Sequence, residues 1–450
     1  MESLSVTEAR LLELEDRRGV HMHVGCALLF DGVPPGLERF KKHVRARLHL
    51  APRYRRRVIS GAPWLGRPAW IDDPRFALDY HVRHVALPGD GDDAELARLI
   101  GTLLSQRLDR GKPLWELWLV GPLSGERFAV IGKSHAALVD GTANCDLLSV
   151  LLDDRSGEPS HERAPAWDTA PPPTPAQLLL RALADRARDS RAPLRVLRAA
   201  AAGAQHELER RDLRASGAHA AAPPPALLNT NGGLQRRYAG VEVGLGRLEK
   251  ERERLGGTVN DAALTAVAGA IGRYLRLHGE DTDGLTLRAL VPLADASSPR
   301  LLAGYVPLPV GIADARRRHA EISRALDGLR AGGRVRAARE LVEHAGFAPP
   351  TLLDQAARLQ SAERSFDLVV TNVPGPRSAR HLLGHRLRAI APAMPLAANQ
   401  ALSVALASHR GRLRFGLLAD ATALGDVELL AGLLEESLSE LRKGARPKRS

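Results

Sequence analysis

The stretch Lys133-Ser134-His135-Ala136-Ala137-Leu138-Val139-Asp140-Gly141 holds the residues best placed to do chemistry. It follows an apolar run, Phe128-Ala129-Val130-Ile131, of the length and character of a buried strand. His135 therefore stands near a strand end, and Asp140-Gly141 mark a turn that opens the apolar segment 145–152. An imidazole at such a place can accept a proton near neutral pH and act as a general base, or it can be a core histidine beside an ordinary turn. Ser134 beside it is a poor nucleophile, because neighbours on a strand point to opposite faces. His81 and His84, read as part of an alternating strand over 79–85, fall on opposite faces and do not share a metal. The run Arg53-Tyr54-Arg55-Arg56-Arg57 is either a solvated charge run or a phosphate contact.

The elements that must position these groups can be read along the chain. Residues 5–15 form an amphipathic helix capped by Ser5 or Thr7, followed by a strand from His23 to a turn at Asp31-Gly32. Pro113-Leu114-Trp115 leads into another strand. Residues 153–175, with Pro171-Pro172-Pro173, are a linker. Residues 174–214 are helical in pattern, interrupted at Pro193, and carry nine arginines against five acids beside a leucine face. Such a segment can lie on an anionic surface or strap two domains together. In the second half, Thr258 or Asn260 caps a long helix to Leu277, with Asp261 at its positive end. The strand 367–373 runs into a Pro-Gly turn, and two strands around Ser408-His409-Arg410-Gly411 form a hairpin.

Composition bounds the function. The chain has 450 residues, room for two domains, and a net charge of +12. That charge favours partners bearing phosphate, while 4% aromatic residues argue against a nucleic-acid stacking surface. Two separated cysteines, Cys26 and Cys145, speak against structural zinc or a disulfide framework. No apolar run approaches the ~20 residues of a membrane span and the N-terminus is charged, so the expectation is a cytoplasmic chain, peripheral at a membrane or lipid droplet.

Several segments taken together resemble the bacterial wax ester synthase/diacylglycerol acyltransferase family. They are Leu4-Ser5…Glu8-Ala9, Met22-His23-Val24-Gly25, Leu108-Asp109-Arg110 with Pro113-Leu114-Trp115-Glu116, His135…Asp140-Gly141, Asn260-Asp261 and Thr371-Asn372-Val373-Pro374-Gly375-Pro376. The family motif is H-H-x3-D-G, and its second histidine is the base. Anchored on Asp140-Gly141, that position is Ala136 here, and His135 is the first histidine. The resemblance implies an α/β fold of two CoA-dependent acyltransferase-like domains with mixed sheets and a central channel. The expected division is 1–165, a helical crossover 166–227, and 228–450. It implies Glu15, Trp115, Asn260, Asp261 and Asn372 as channel candidates, with Asp140, Gly141 and Arg237 supporting the motif. An Asp140–Arg237 pair is expected.

The expected activity is transfer of a fatty acyl group from acyl-CoA to diacylglycerol or a long-chain alcohol, with acyl-CoA as substrate, no cofactor and no metal. His135 can serve as a displaced base only if the loop 136–139 bulges by one residue, because neighbours on a strand point to opposite faces. Two alternatives stay open: a same-fold transferase acting on a specialised hydroxyl or drawing on a carrier protein, and a non-catalytic lipid-binding relative.

Overall fold

The computed structural model describes residues 1–18, 20–59, 68–138, 146–157, 167, 169, 171–174, 176–180, 183, 225–229, 232–295, 301–331, 335–336, 366–376 and 378–444. In chain order the first half runs β1 (Glu2–Ser3), α1 (Val6–Arg18), β2 (His23–Asp31), α2 (Leu37–Arg47), β3 (Arg56–Ile59), β4 (Ala69–Asp72), α3 (Leu78–His81), β5 (Val82–Val85), α4 (Asp93–Ser105), β6 (Trp115–Leu123), β7 (Arg127–His135) and α5 (Leu147–Val150). The second half runs β8 (Arg236–Gly244), α6 (Leu245–Leu255), α7 (Val259–Leu277), β9 (Leu287–Asp295), β10 (Leu301–Leu308), α8 (Ala315–Ala331), β11 (Val335–Arg336), β12 (Leu368–Val373), β13 (His381–Leu382), β14 (His385–Ala393), β15 (Leu402–His409), β16 (Arg412–Asp420) and α9 (Val427–Gly444).

Two mixed sheets organise these elements. The first has the order β13-β14-β2-β7-β6-β5, the second β10-β9-β12-β15-β16-β8 with β11 on β9. Parallel pairs (β5 with β6, and β12 with β9 and β15) sit among antiparallel ones. The α/β expectation holds, but the division by chain halves does not. Strands β13 and β14 leave the second half and complete the first sheet, β14 pairing with β2 from Leu387↔Phe30 to Ala393↔Gly25. Position 228 is thus a break in the chain rather than a boundary between sheets.

Local chemistry explains most element ends. Ser5 and Glu8 form a reciprocal cap at the start of α1, Glu8 N–H donating to Ser5 Oγ (3.2 Å) and Ser5 N–H to Glu8 Oε2 (2.7 Å). Thr258, not Asn260, caps α7. The β15–β16 turn places Arg410 and Gly411 at φ 46° and 76°, the left-handed pair a tight hairpin needs. The alternating pattern at 79–85 was misleading: its first half is the helical turn α3, so His81 and His84 do not share a strand.

The sheets also meet directly. A Cβ built on Gly416 of β16 would lie 1.9 Å from the backbone oxygen of Pro392 in β14, so only glycine permits this contact between the two sheets. Gly416→Ala is expected to lower unfolding free energy by about 1–3 kcal/mol or more through overpacking. Gly246→Ala, in open space on α6, should stay neutral or slightly stabilise. Denaturant melts of both variants check this.

Candidate active site

Strand parity decides what each motif residue can do. β7 pairs with β2 in unbroken register from Asp31↔Arg127 to His23↔His135. The ladder runs one residue further, Ala136 N–H donating to Met22 O at 2.8 Å. Gly132, Ser134 and Ala136 therefore share the face of Met22, Val24 and Cys26, while Ile131, Lys133 and His135 share the opposite one. No bulge interrupts this ladder as far as His135, and Val139 of the loop 136–139 lies outside the described residues.

His135 instead belongs to a buried ionic cluster centred on Glu15, which is 3% exposed despite lying on a charged helix. Glu15 Oε1 stands 3.3 Å from His23 Nε2, and Oε2 stands 3.8 Å from His135 Nε2. Arg110 donates to Oε2 at 2.8 Å and also reaches Asp16 and the backbone oxygen of Leu12, both at 2.7 Å. Burial alone would raise the Glu15 pKa. The hydrogen bonds from His23 and Arg110 outweigh burial and hold the carboxyl well below its usual range. Burial pulls His21 and His23 down to about 4, so both are neutral at pH 7. His135 Nδ1 accepts the Ala137 N–H at 3.0 Å, which puts the neutral ring's proton on Nε2, facing Glu15. The basic lone pair is spent on the backbone. His135 braces the turn that follows it. Lys133, on the same face, is fully buried, donates to Gln106 O at 2.5 Å, and is pulled down to about 8 mainly by burial.

The opposite face holds a small cavity of about 10 Å³, lined by Val24, Cys26, Tyr54, Trp115, Ser134 and Asp146 among others. Trp115 forms its wall as a locked core residue. Its indole N–H donates to Tyr54 O at 2.6 Å, and His81 stacks on it at 4.4 Å. Asp146 caps α5, accepting from Leu148 N–H (3.2 Å) and Ser149 Oγ–H (3.0 Å), and burial raises its carboxyl to about 7. Sequence reasoning missed Asp146. Its signal was a possible cap immediately before the leucine pair Leu147-Leu148.

The remaining candidates scatter. Asp140 and Gly141 lie outside the described residues. Arg237 is half exposed and pairs with Glu428 at 3.2 Å, a surface contact between β8 and α9 rather than support for the motif. Asp261 is fully buried and ties α7 to α8, accepting from Arg330 (2.7 Å) and Ser323 (3.0 Å), so it acts as a clamp. Asn260 is half-buried in the first turn of α7. Asn372 is half-buried opposite Leu406 of β15. Next to it, Gly375 has no room for a Cβ, which would fall 1.6 Å from Ser408 O. The Arg53–Arg57 run is absorbed by the fold. Arg53 pairs with Glu2 and Glu8, Arg56 with Glu2 and Asp72, and Arg57 with Asp73, while Arg55 stacks over Trp167 at 4.6 Å.

Comparison with known families accounts for this arrangement. The model of the wax ester synthase/diacylglycerol acyltransferase catalytic domain matches residues 4–263, and that of the C-terminal domain matches 302–442. The chain belongs to the wax ester synthase/diacylglycerol acyltransferase family. It is 31% identical over 98% of its length, and 96% of the relative's, to the probable diacylglycerol O-acyltransferase tgs1 of Mycobacterium tuberculosis. It is 30% identical to tgs2 of the same species, covering 98% and 99% of the two chains. Among solved structures it resembles the wax ester synthase/diacylglycerol acyltransferase of Marinobacter aquaeolei VT8, with TM-score 0.68, 25% identity and coverage of 98% and 99%. The first condensation domain of the calcium-dependent antibiotic synthetase shares the fold, with TM-score 0.56 and 18% identity over 100% and 97% of the chains. In this family member His135 faces Glu15.

The cluster makes acid stability measurable. The folded-state pKa values of His21 and His23, about 4, lie below the ordinary 6.5. Between these values the unfolded chain binds more protons, so stability present above pH 6.5 is lost as pH falls toward 4, by roughly 3 kcal/mol per histidine. Denaturant midpoints measured from pH 7.5 to 4 should fall accordingly, and His23→Gln should flatten the slope. A parent midpoint constant over that range would contradict the assignment.

Proposed function

We propose that this chain is an O-acyltransferase that moves a fatty acyl group from acyl-CoA to diacylglycerol or a long-chain alcohol. The observation that carries this reading is the 31% identity, over 98% of the chain, to a probable diacylglycerol O-acyltransferase. The alcohol oxygen attacks the thioester carbonyl, the tetrahedral adduct collapses, and the CoA thiolate leaves protonated. Acyl-CoA is then a substrate, and the scheme needs no cofactor. The alanine at position 136 favours a second reading, a lipid-binding relative that has given up the chemistry.

Peripheral membrane contact is part of the proposal. No helix among the described residues is long and apolar enough to cross a bilayer. Leu179, Leu180 and Leu183 are exposed at the start of the arginine-rich segment. Exposed leucines beside basic charge suit reversible binding to an anionic surface, from which a lipid-dissolved acceptor can be collected.

Two measurements test these points. Free CoA should appear from palmitoyl-CoA when diacylglycerol or hexadecanol is added, and only at background without an acceptor. Acceptor-independent background throughout a panel of alcohols would favour the lipid-binding reading. Replacing Leu179, Leu180 and Leu183 together with Ser should reduce sedimentation with anionic vesicles while sparing activity on a short soluble alcohol. Unchanged sedimentation would remove these leucines from membrane contact.

A further inference from the structure

Acyl transfer to a hydroxyl needs a group that takes a proton and returns it, and the alanine at position 136 cannot. Such a group must stand on the face of β7 that carries this position. Gly132, Ser134 and Ala136 lie on that face, and the cavity against it holds about one water. Two acids line that cavity, Glu116 and Asp146, and Asp146 is 1% exposed. Helix α5 reaches the sheet because Gly132 has no side chain: a Cβ there would lie 2.7 Å from Leu148 Cδ1. That close approach seats Asp146, two residues earlier, against the sheet.

We propose that Asp146 is the catalytic base of this chain, standing in for the histidine that position 136 lacks. The inference rests on the O-acyltransferase reading. The acceptor hydroxyl occupies the cavity beside Asp146. Its proton passes to an Asp146 carboxylate oxygen as the hydroxyl oxygen forms the C–O bond to the thioester carbonyl carbon. Collapse of the adduct breaks the C–S bond, and the departing sulfur takes the proton back from Asp146. No other reactant is required. Leu148 N–H and Ser149 Oγ–H hold the carboxylate in one orientation.

The surroundings suit the role. The Cys26 thiol is pushed up by burial and stays neutral, and Tyr54, Ser134 and Ser149 contribute hydroxyls. Glu116 turns its carboxylate toward Lys133, 3.8 Å away. Burial places the Asp146 titration near 7, where a general base works best at neutral pH.

The test compares Asp146→Asn, Ala136→His and the double variant on palmitoyl-CoA with a long-chain alcohol. Asn keeps the helix cap but cannot carry the proton, so turnover should fall by ~10²–10⁴-fold with the melting temperature near the parent's. The parent's kcat/KM should show an acid limb near pH 7. Adding Ala136→His to Asp146→Asn restores a base on the same face and should recover turnover, which a merely structural Asp146 would not allow. Asp146→Ser, also a capping residue, serves if Asn does not fold. A folded Asp146→Asn protein with the parent's turnover, or a double variant as poor as the single, overturns the proposal. A parent that releases no CoA to any acceptor overturns the acyltransferase reading itself, and the role of Asp146 with it.

Discussion

One buried carboxylate holds the first domain's working end together. Glu15 gathers His23 from β2, His135 from β7 and Arg110 from the segment before β6. An anion stripped of water at this depth is stable only because hydrogen-bond donors and a permanent cation surround it. Removing one partner would leave an uncompensated charge, so the three elements move as a unit. Arg110 also reaches Asp16 and Leu12, which fixes α1 to the segment leading into Trp115. Trp115 in turn donates to Tyr54 and stacks under His81. The ionic cluster on one face and the aromatic stack on the other are thus joined through a few residues of backbone.

That geometry separates two roles that a shared motif tends to merge. The retained histidine braces: its Nδ1 receives the Ala137 amide and its Nε2 faces Glu15. Ala136 lies on the opposite face of β7, where a methyl group offers packing and no chemistry. A chain that keeps the brace keeps the turn, and the face beside it stays shaped for a reacting group. Asp146 stands at that face by virtue of a helix that begins where the motif loop ends.

Much of this was legible in the sequence, for local reasons. Caps, turns and apolar runs are short-range signals, and the Ser5–Glu8 box, the Thr258 cap and the Arg410-Gly411 turn all behave as their residue types require. The ordered motifs gave the fold. Long-range events were not legible. Glu15 sits among Glu13, Asp16 and two arginines, so it reads as a solvated helix charge; its burial depends on Arg110 and two histidines far along the chain. The crossing of β14 into the first sheet leaves no local mark either, since Leu387 to Ala393 reads as an ordinary strand. Strand 79–85 failed differently, because a helical turn followed by a strand mimics alternation.

The most direct measurement is a crystal structure with a palmitoyl-CoA analogue in which a methylene group replaces the thioester sulfur. The account requires the analogue's carbonyl carbon on the Ser134–Ala136 face of β7, within reach of the Asp146 carboxylate, with His135 still turned to Glu15 on the far side. A carbonyl in contact with His135 Nε2, with the Glu15 cluster opened to admit it, would contradict the account.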